Sequence, residues 1–463
     1  MHTVLLIDFG STNTKATLVD TDGEEIIGTA VAYTTVKTDV NDGLNSALSD
    51  LNKKTGISEF DERYACSSAA GGLRMVTSGL VPTLTGEAAK LASLGAGAKL
   101  VSVYSYKLIE DDIDDIDALS PDIVLLTGGT DGGNVENIIE NARMIARCKK
   151  DFPVIIAGNR AAARECERIL KDAGRETTVV KNVMPQFSEL NIDPAKAAIR
   201  EIFLRRIVRA KGLSHASKLI DGILMPTPAA MLTAMKLLAD GIEGESGIGD
   251  LFAVDLGGAT TDIYSIADGF PDNGNTVIKG IPEPREKRTV EGDIGMRYSV
   301  KGILEAVGKE ELARLSGLST ERVLELVDYL AENTDSIPKN AEEEAVDFAL
   351  ASVAIRVACM RHAGNIEQVY TPAGAVYVQE GKNLLNVENI IITGGAAIHS
   401  SCAGDIAKEA LFSDAFSRSL RPKHARIYID KDYILAAMGL LSCKYPCVAQ
   451  RIMKKELLKD IWN

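Results

Sequence analysis

The segment Val4–Gly23, VLLIDFGSTNTKATLVDTDG, decides the predicted fold, because it recurs in altered form as LFAVDLGGATTDIYSIADG over Leu251–Gly269. Each copy opens with an apolar run that ends in an aspartate, Asp8 or Asp255. A turn of glycine and small hydroxyl residues follows, and a second apolar run leads to an Asp-Gly pair, which signals a hairpin turn. Each copy therefore predicts a strand, a glycine turn, a second strand and a second turn.

The glycine turn of each copy has the composition of a phosphate-binding loop. Glycine lets backbone N–H groups point into one concavity, which larger side chains would block. The residues predicted to bind phosphate are Gly10, Ser11, Thr12, Thr14 and Lys15 in the first copy, and Gly257, Gly258, Thr260 and Thr261 in the second. The alternative is a pair of ordinary hairpins, but the recurrence favours phosphate binding.

The two aspartates suggest a metal ion. Asp8 and Asp255 would repel a polyphosphate unless a cation lay between them and the phosphate oxygens. Mg²⁺ commonly bridges carboxylates and phosphates in this way. We therefore predict that Asp8 and Asp255 are metal-binding and catalytic residues, with Mg²⁺ as the metal.

A third glycine-containing segment, NIIITGGAAIHS, covers Asn389–Ser400. Its apolar strand ends beside Gly394 and Gly395, which would allow a flat group such as adenine or ribose to approach the backbone. The sequence has neither a P-loop lysine motif nor a G-x-G-x-x-G after a strand, so those two kinds of nucleotide site are disfavoured.

Composition narrows the class of partner. The chain has 463 residues with 51 basic and 65 acidic side chains, and its formal net charge is −14. This balance argues against non-specific binding of nucleic acid or of an anionic membrane. No uncharged apolar stretch approaches the roughly 18 residues of a membrane span. The seven scattered cysteines indicate reduced thiols in the cytoplasm.

The region between the two copies is longer than one lobe requires. Apolar strands alternate with helical patterns over residues 71–219, which predicts an inserted parallel α/β subdomain. Within it, LLTGGTDGGN at Leu125–Asn134 is either a second phosphate or cofactor loop or a glycine-rich turn that caps a strand. The acidic run Ile109–Asp117 is interpreted as a solvated segment before a strand.

The three glycine segments together resemble the actin/Hsp70/sugar-kinase superfamily. The resemblance implies an α/β fold of two RNase H-like lobes around a nucleotide cleft, and it implies that Asp262, with Asp255, acts through metal or water. The expected divisions are a first lobe at 1–70, the insertion at 71–219, completion of the first lobe at 220–250 and a second lobe at 251–463. Two helices rich in small residues, at Thr227–Gly241 and Asp432–Ser442, are the expected hinge.

Four further segments resemble the MutL accessory proteins of coenzyme-B12-dependent glutamate mutase: SSAAGGLRMV at Ser67–Val76, LLTGGTDGGN, MPTPAAML at Met225–Leu232 and EGDIGMRYS at Glu291–Ser299. This resemblance implies a slow ATPase that reactivates or chaperones the mutase and binds the mutase subunits, with a homodimer as a further expectation. Two alternatives stay open: a small-molecule kinase or hydantoinase/oxoprolinase-like hydrolase on the same scaffold, and an actin-like filament protein.

Overall fold

The computed structural model describes residues 1–10, 13–33, 40–68, 73–210, 222–272, 274–372 and 374–459. The chain divides into two compact units. The first comprises Met1–Ala234, Gly280–Pro282 and Ala436–Ala449, and the second comprises the remainder.

A five-stranded sheet with the order β10-β4-β1-β2-β3 organises the first unit. Its strands are β1 (Thr3–Phe9), β2 (Asn13–Asp20), β3 (Glu25–Tyr33), β4 (Glu62–Ser67) and β10 (Gly222–Met225). β1 pairs with β4 in parallel and with β2 antiparallel, and β2 pairs antiparallel with β3. β1 is buried along its whole length, as its apolar run predicts.

A second sheet with the same plan organises the second unit, in the order β20-β19-β13-β14-β16. Its strands are β13 (Leu251–Leu256), β14 (Thr261–Ile266), β16 (Glu286–Glu291), β19 (Asn389–Thr393) and β20 (Arg426–Ile429). β13 pairs with β19 in parallel and with β14 antiparallel, so strand order and direction repeat those of the first sheet. The predicted duplication and the RNase H-like α/β fold class are confirmed.

The inserted residues form a separate, fully parallel sheet in the order β6-β5-β7-β8-β9. Its strands are β5 (Arg74–Gly79), β6 (Lys99–Ser105), β7 (Ile123–Leu126), β8 (Val154–Ile156) and β9 (Thr177–Val179). One face of this sheet has its own core around Val124 and Phe152. The other face shares a core with β1, since Met75 and Leu125 cluster with Leu5. The boundaries 71 and 219 stay a prediction.

Helices cover these sheets. They are α1 (Val40–Thr55), α2 (Glu87–Gly95), α3 (Glu110–Leu119), α4 (Glu136–Ala146), α5 (Ala163–Asp172), α6 (Asp193–Ala210), α7 (Thr227–Asp240), α8 (Val300–Val307), α9 (Lys309–Ser316), α10 (Thr320–Glu332), α11 (Ala341–His362), α12 (Gly395–Ile398), α13 (Ala403–Lys408), α14 (Ile434–Ser442) and α15 (Pro446–Leu457). None of the described helices is long and apolar enough to cross a membrane.

Short strands complete the second unit. They are the two-stranded pair β11 (Gly241–Ile242) and β12 (Glu245–Ser246), and a three-stranded sheet of β15 (Thr276–Lys279), β17 (Asn365–Thr371) and β18 (Gly374–Glu380).

The two helices predicted from their small residues meet at one glycine. A Cβ added to Gly439 of α14 would lie 1.9 Å from the carbonyl oxygen of Ala230 on α7, and both residues belong to the first unit. A side chain at position 439 would therefore separate the helices. The helices are confirmed, and their role as a hinge stays a prediction.

Candidate functional site

The first glycine turn joins β1 to β2. Asp8 pairs with Lys15 across the hairpin, and Phe9 pairs with Thr14. The Gly10 N–H donates to the Asn13 carbonyl at 3.1 Å, and a Cβ on Gly10 would lie 2.5 Å from that oxygen. Only glycine therefore fits this turn without displacement.

The second turn, between β13 and β14, is built in the same way. Asp255 pairs with Asp262, and Leu256 pairs with Thr261. The Gly257 N–H donates to the Thr260 carbonyl at 3.0 Å, and a Cβ on Gly257 would lie 2.7 Å from that oxygen. The two hairpins share a register, a closing hydrogen bond and a steric need for glycine.

The hydrogen bonds that close the two turns involve two backbone amides that were predicted to bind phosphate. The N–H groups of Gly10 and Gly257 are donated inside their own turns. The two glycines therefore shape the cradle, and other donors would have to meet a phosphate. Ser11 and Thr12 lie outside the described residues.

Two threonines predicted to bind phosphate are fully buried. Thr14 and Thr261 occupy equivalent positions in the two hairpins, and neither is exposed. The Thr261 hydroxyl donates to the Ile294 carbonyl at 2.9 Å. That these two threonines contact a ligand stays a prediction, and the Thr261 hydroxyl is already donated within the protein. Thr260 stays partly exposed at the turn.

Asp8 is buried among side chains from two neighbouring strands and a helix. The Thr227 hydroxyl, at the start of α7, donates to its Oδ1 at 2.5 Å, and the Cys66 thiol lies 3.5 Å from the same oxygen. The Lys15 ammonium lies 3.8 Å from Oδ2. Burial and the adjacent carboxylate raise the pKa of the Cys66 thiol well above its usual range.

Asp262 is held by a buried ion pair. Arg288 on β16 donates from Nε to Asp262 Oδ1 at 2.7 Å, and the Thr260 hydroxyl donates to Oδ2 at 3.3 Å. The Arg288 side chain is 4% exposed and the Asp262 side chain is 12% exposed. Since both carboxylate oxygens are engaged, this geometry favours a positioning role for Asp262 over direct contact with metal or water.

Asp255 has different surroundings. It is half-buried at the end of β13, next to Thr393 of β19. Burial, together with the nearby Asp255 carboxylate, raises the pKa of Tyr433 to about 12. Tyr433 has a left-handed backbone at φ 53°, and its hydroxyl would lie 3.3 Å from a Cβ added to Gly395.

The third glycine segment packs directly on the second hairpin. Gly394 has φ 103°, and a Cβ there would lie 2.2 Å from the Leu256 carbonyl oxygen. Asp255, the Gly394–Gly395 turn and Tyr433 therefore lie together in the second unit. In the part of the chain that the structure describes, no three His, Cys, Asp or Glu side chains could by themselves hold a metal.

A segment that the sequence did not assign to the site supports the second turn. The N–H groups of Arg297 and Tyr298 donate to the Gly258 carbonyl at 2.8 and 2.9 Å. A Cβ on Gly295 would lie 2.5 Å from the carbonyl carbon of Ala259. Residues 291–299 thus form a buttress under the turn, and this range is the EGDIGMRYS segment.

Three backbone N–H groups of the inserted LLTGGTDGGN loop donate hydrogen bonds to other groups of the protein. The N–H of Asp131 donates to Pro185, that of Gly132 to the Asn159 side chain and that of Gly133 to Thr130. Asn159 and Asn182 bind carbonyls of the same loop. Of the two interpretations, a braced turn that caps β7 fits these bonds better than a phosphate loop.

Comparisons with known proteins give a consistent family. The family model described as MutL protein matches residues 4–457. Protein MutL of Clostridium tetanomorphum is 48% identical over 461 residues, covering 99% of this chain and 100% of the relative.

Solved structures give weaker matches. A xylulose kinase from Lactobacillus acidophilus shares 10% identity at a TM-score of 0.34, covering 97% of this chain and 92% of that chain. Component A of the (R)-2-hydroxyglutaryl-CoA dehydratase of Acidaminococcus fermentans shares 10% identity at a TM-score of 0.30, covering 97% and 100%.

Proposed function

The chain belongs to the MutL protein family, and from that premise we propose that it is an ATP-binding accessory protein that reactivates an adenosylcobalamin-dependent glutamate mutase. The observation that carries the nucleotide part is the pair of matched hairpins, each with an aspartate two residues before its turn glycine. The mutase part rests on the family resemblance.

The residues present fit ATP with Mg²⁺. At Gly10, Gly257 and Gly394 the position of a Cβ is already taken by a backbone carbonyl oxygen, so these glycines permit the close backbone approaches that shape the turns. Within its own unit, each of Asp8 and Asp255 is the carboxylate that would bind Mg²⁺. When bound, Mg²⁺ would neutralise phosphate charge, which a carboxylate alone cannot do.

The side chains of this chain have distinct tasks in the proposal. Lys15 would place a compact positive charge beside the phosphates, next to Asp8. Asp255 would orient metal-bound water from the end of β13. The Asp262–Arg288 pair would keep the second hairpin in place, and the Tyr433 hydroxyl would donate to a group held at Asp255.

Slow ATP hydrolysis would shift the chain between conformations with different affinity for the mutase subunits. We place the protein in the cytoplasm. All seven cysteines are free thiols, and four of them, Cys66, Cys148, Cys166 and Cys359, are buried.

The nucleotide part is tested by calorimetry and thermal unfolding. ATP with Mg²⁺ should raise the melting temperature. At an ATP concentration about a hundredfold above Kd, binding should stabilise the folded state by about 2.7 kcal/mol. No shift and no heat of binding at saturating ATP-Mg would refute the proposal.

The partner part is tested with purified glutamate mutase subunits. The immobilised chain should retain them, and the amount retained should differ between ATP-Mg and ADP-Mg. The chain should also restore activity to glutamate mutase that has been inactivated during turnover, and it should do so only when ATP is present. Binding of ATP without any mutase interaction would leave the nucleotide site standing and refute the partner.

A further inference from the structure

The three-stranded sheet of β15, β17 and β18, here called the exposed arm, is exposed along β17, whereas its middle strand is partly covered and Gln379 is buried. β18 lies in the middle, parallel to β15 and antiparallel to β17. All residues of β17 are exposed except the half-buried Ile366, and Tyr370 is 79% exposed. Within the part of the chain that the structure describes, β17 is therefore an exposed edge strand.

The outer edge of β17 presents unused backbone groups. The Ile366 N–H donates away from β18 to the Arg418 carbonyl at 2.9 Å. Backbone polar groups alternate sides along a strand, so those of Gln368 and Tyr370 point outward as well. Beyond the bridge from Asn365 to Ser419, no strand among the described residues pairs with that side.

This edge carries none of the usual protection. Natural edge strands avoid unwanted pairing with lysine, proline or a bulge. The free part of β17, Glu367–Thr371, contains no lysine and no proline, and its register with β18 is continuous. We propose that a second copy of this chain adds its own β17 to this edge, antiparallel, around a two-fold axis at Val369.

The register follows from the backbone directions. An axis at Val369 places the outward groups of Gln368 opposite those of Tyr370 in the second copy, so each pair can exchange two hydrogen bonds. Glu367 then lies opposite Thr371, and no carboxylate opposes another. An axis at Gln368 would instead bring Tyr370 of the second copy to Ile366, where Arg418 is already bound.

The distribution of charge also favours this edge, over the rest of the surface, as the place where two copies associate. Two copies with a net charge of −14 each repel one another over most of their surface. The free edge has only one carboxylate. Val369 pairs with Val376 and Val277 pairs with Val378, so these valines lie on one face, and the axis would extend that apolar stripe across both copies.

A cross-linking experiment tests the axis directly. Val369→Cys would place two thiols on residues about 4.5 Å apart at their Cα atoms, within disulfide range. The full chain should then form a covalent dimer on mild oxidation and revert with reductant. The matched control is Val277→Cys, which is 57% exposed in the wild type and lies on the same face but on the opposite edge strand. Both variants should carry serine at the exposed Cys402, Cys443 and Cys447.

Sedimentation velocity tests the association without chemistry. The wild type should dimerise reversibly, and Val369→Lys should weaken the dimer on the order of tenfold or more, because two ammonium groups would meet at the axis. Val277→Lys should leave it intact. A monomeric wild type would overturn the proposal and leave the edge for a strand of another protein, and a dimer that survives Val369→Lys would also overturn it. Neither readout depends on nucleotide binding.

Discussion

At the scale of single residues, Asp255 and Asp262 face each other across one hairpin, yet their surroundings give them different tasks. Asp255 is half-buried beside Gly395 and Tyr433, whereas Asp262 is buried against Arg288. Substituting asparagine at each position therefore tests two different properties.

Asp255→Asn keeps the shape of the side chain and removes its charge. We expect metal-dependent ATP hydrolysis to fall about a hundredfold, or about 2.7 kcal/mol of transition-state stabilisation. Unfolding in denaturant should change little, and metal-free nucleotide binding should hold or improve. A variant with full activity would remove Asp255 from the catalytic residues.

Asp262→Asn should behave in the opposite way. It leaves the Arg288 guanidinium buried without its carboxylate, which costs about 3–5 kcal/mol in comparable buried pairs. The midpoint of urea unfolding should therefore fall sharply. Equal stability of the two asparagine variants would contradict the assignment of the ion pair as structural.

The Tyr433 hydroxyl supports a prediction about hydrogen bonding. Its left-handed backbone costs roughly 1–3 kcal/mol, so the surrounding structure must impose this position. Tyr433→Phe should lower metal-dependent hydrolysis about tenfold, or about 1.4 kcal/mol, with the melting temperature unchanged. Because its pKa is raised to about 12, the hydroxyl stays protonated through pH 10 and adds no alkaline limb to the pH profile below that value.

Tyr329→Phe, on α10, is the control for that variant. It also removes a tyrosine hydroxyl from the second unit, and hydrolysis should stay at the wild-type rate. A loss of the same size in both variants would remove Tyr433 from the site.

Local sequence shows the aspartates and glycines of the site but not their partners. Thr227 reaches Asp8 from 219 positions away, and Arg288 reaches Asp262 from 26 positions away. Thr14 and Thr261 are predicted to bind phosphate because they lie at the ends of the glycine turns. Their burial depends on which face of the sheet each strand residue takes, and that requires the register.

At the scale of elements, the buttress at 291–299 controls the second turn. Gly295→Ala would put a methyl group 2.5 Å from the Ala259 carbonyl carbon, so the turn must shift. We expect a stability loss of about 1–3 kcal/mol and weaker ATP-Mg binding by calorimetry. Gly292→Ala is the matched control, since nothing lies within 4 Å of its added Cβ. Equal binding by the two variants would contradict the buttress.

Some helices and hairpins could be predicted from the sequence more accurately than others. Both hairpins and the two helices rich in small residues were evident from apolar runs and turn signals. The acidic run Ile109–Asp117 is interpreted as a solvated segment before a strand; Glu110, Asp111, Asp114 and Asp115 are indeed exposed and β7 follows, but the run forms most of helix α3, where Ile113 and Ile116 are buried. The spacing of those two isoleucines, three apart, was the available signal for a helix.

At the scale of the whole molecule, a buried lysine ties stability to pH. Lys382 is 1% exposed and donates to the Arg285 carbonyl at 2.7 Å and to Ser265 at 3.2 Å. Burial and the neighbouring Lys287 lower its pKa to about 7. In the unfolded chain the Lys382 amine takes up a proton near pH 10.5, whereas in the folded chain it does so only near pH 7. The free energy of unfolding is therefore highest above about pH 10.5, and it decreases as the pH falls toward 7.

Lys382→Met should therefore stabilise the protein more at pH 7 than at pH 10, by a difference of about 3 kcal/mol in the free energy of unfolding. Urea titrations of both proteins at the two pH values measure it. Burial lowers the pKa of His362 well below its usual range, so His362 does not contribute over this window. An equal effect at both pH values would show that Lys382 is charged in the folded state.

The distribution of buried thiols gives each part of the molecule its own chemical reporter. Cys66 lies against Asp8 in the first sheet, Cys148 and Cys166 belong to the core of the inserted sheet, and Cys359 belongs to the core of the second unit. A buried thiol reacts with an alkylating reagent only when its surroundings open. Mass spectrometry of the unmodified chain during slow alkylation would thus rank the opening rates of the three regions, with Cys402, Cys443 and Cys447 labelled first.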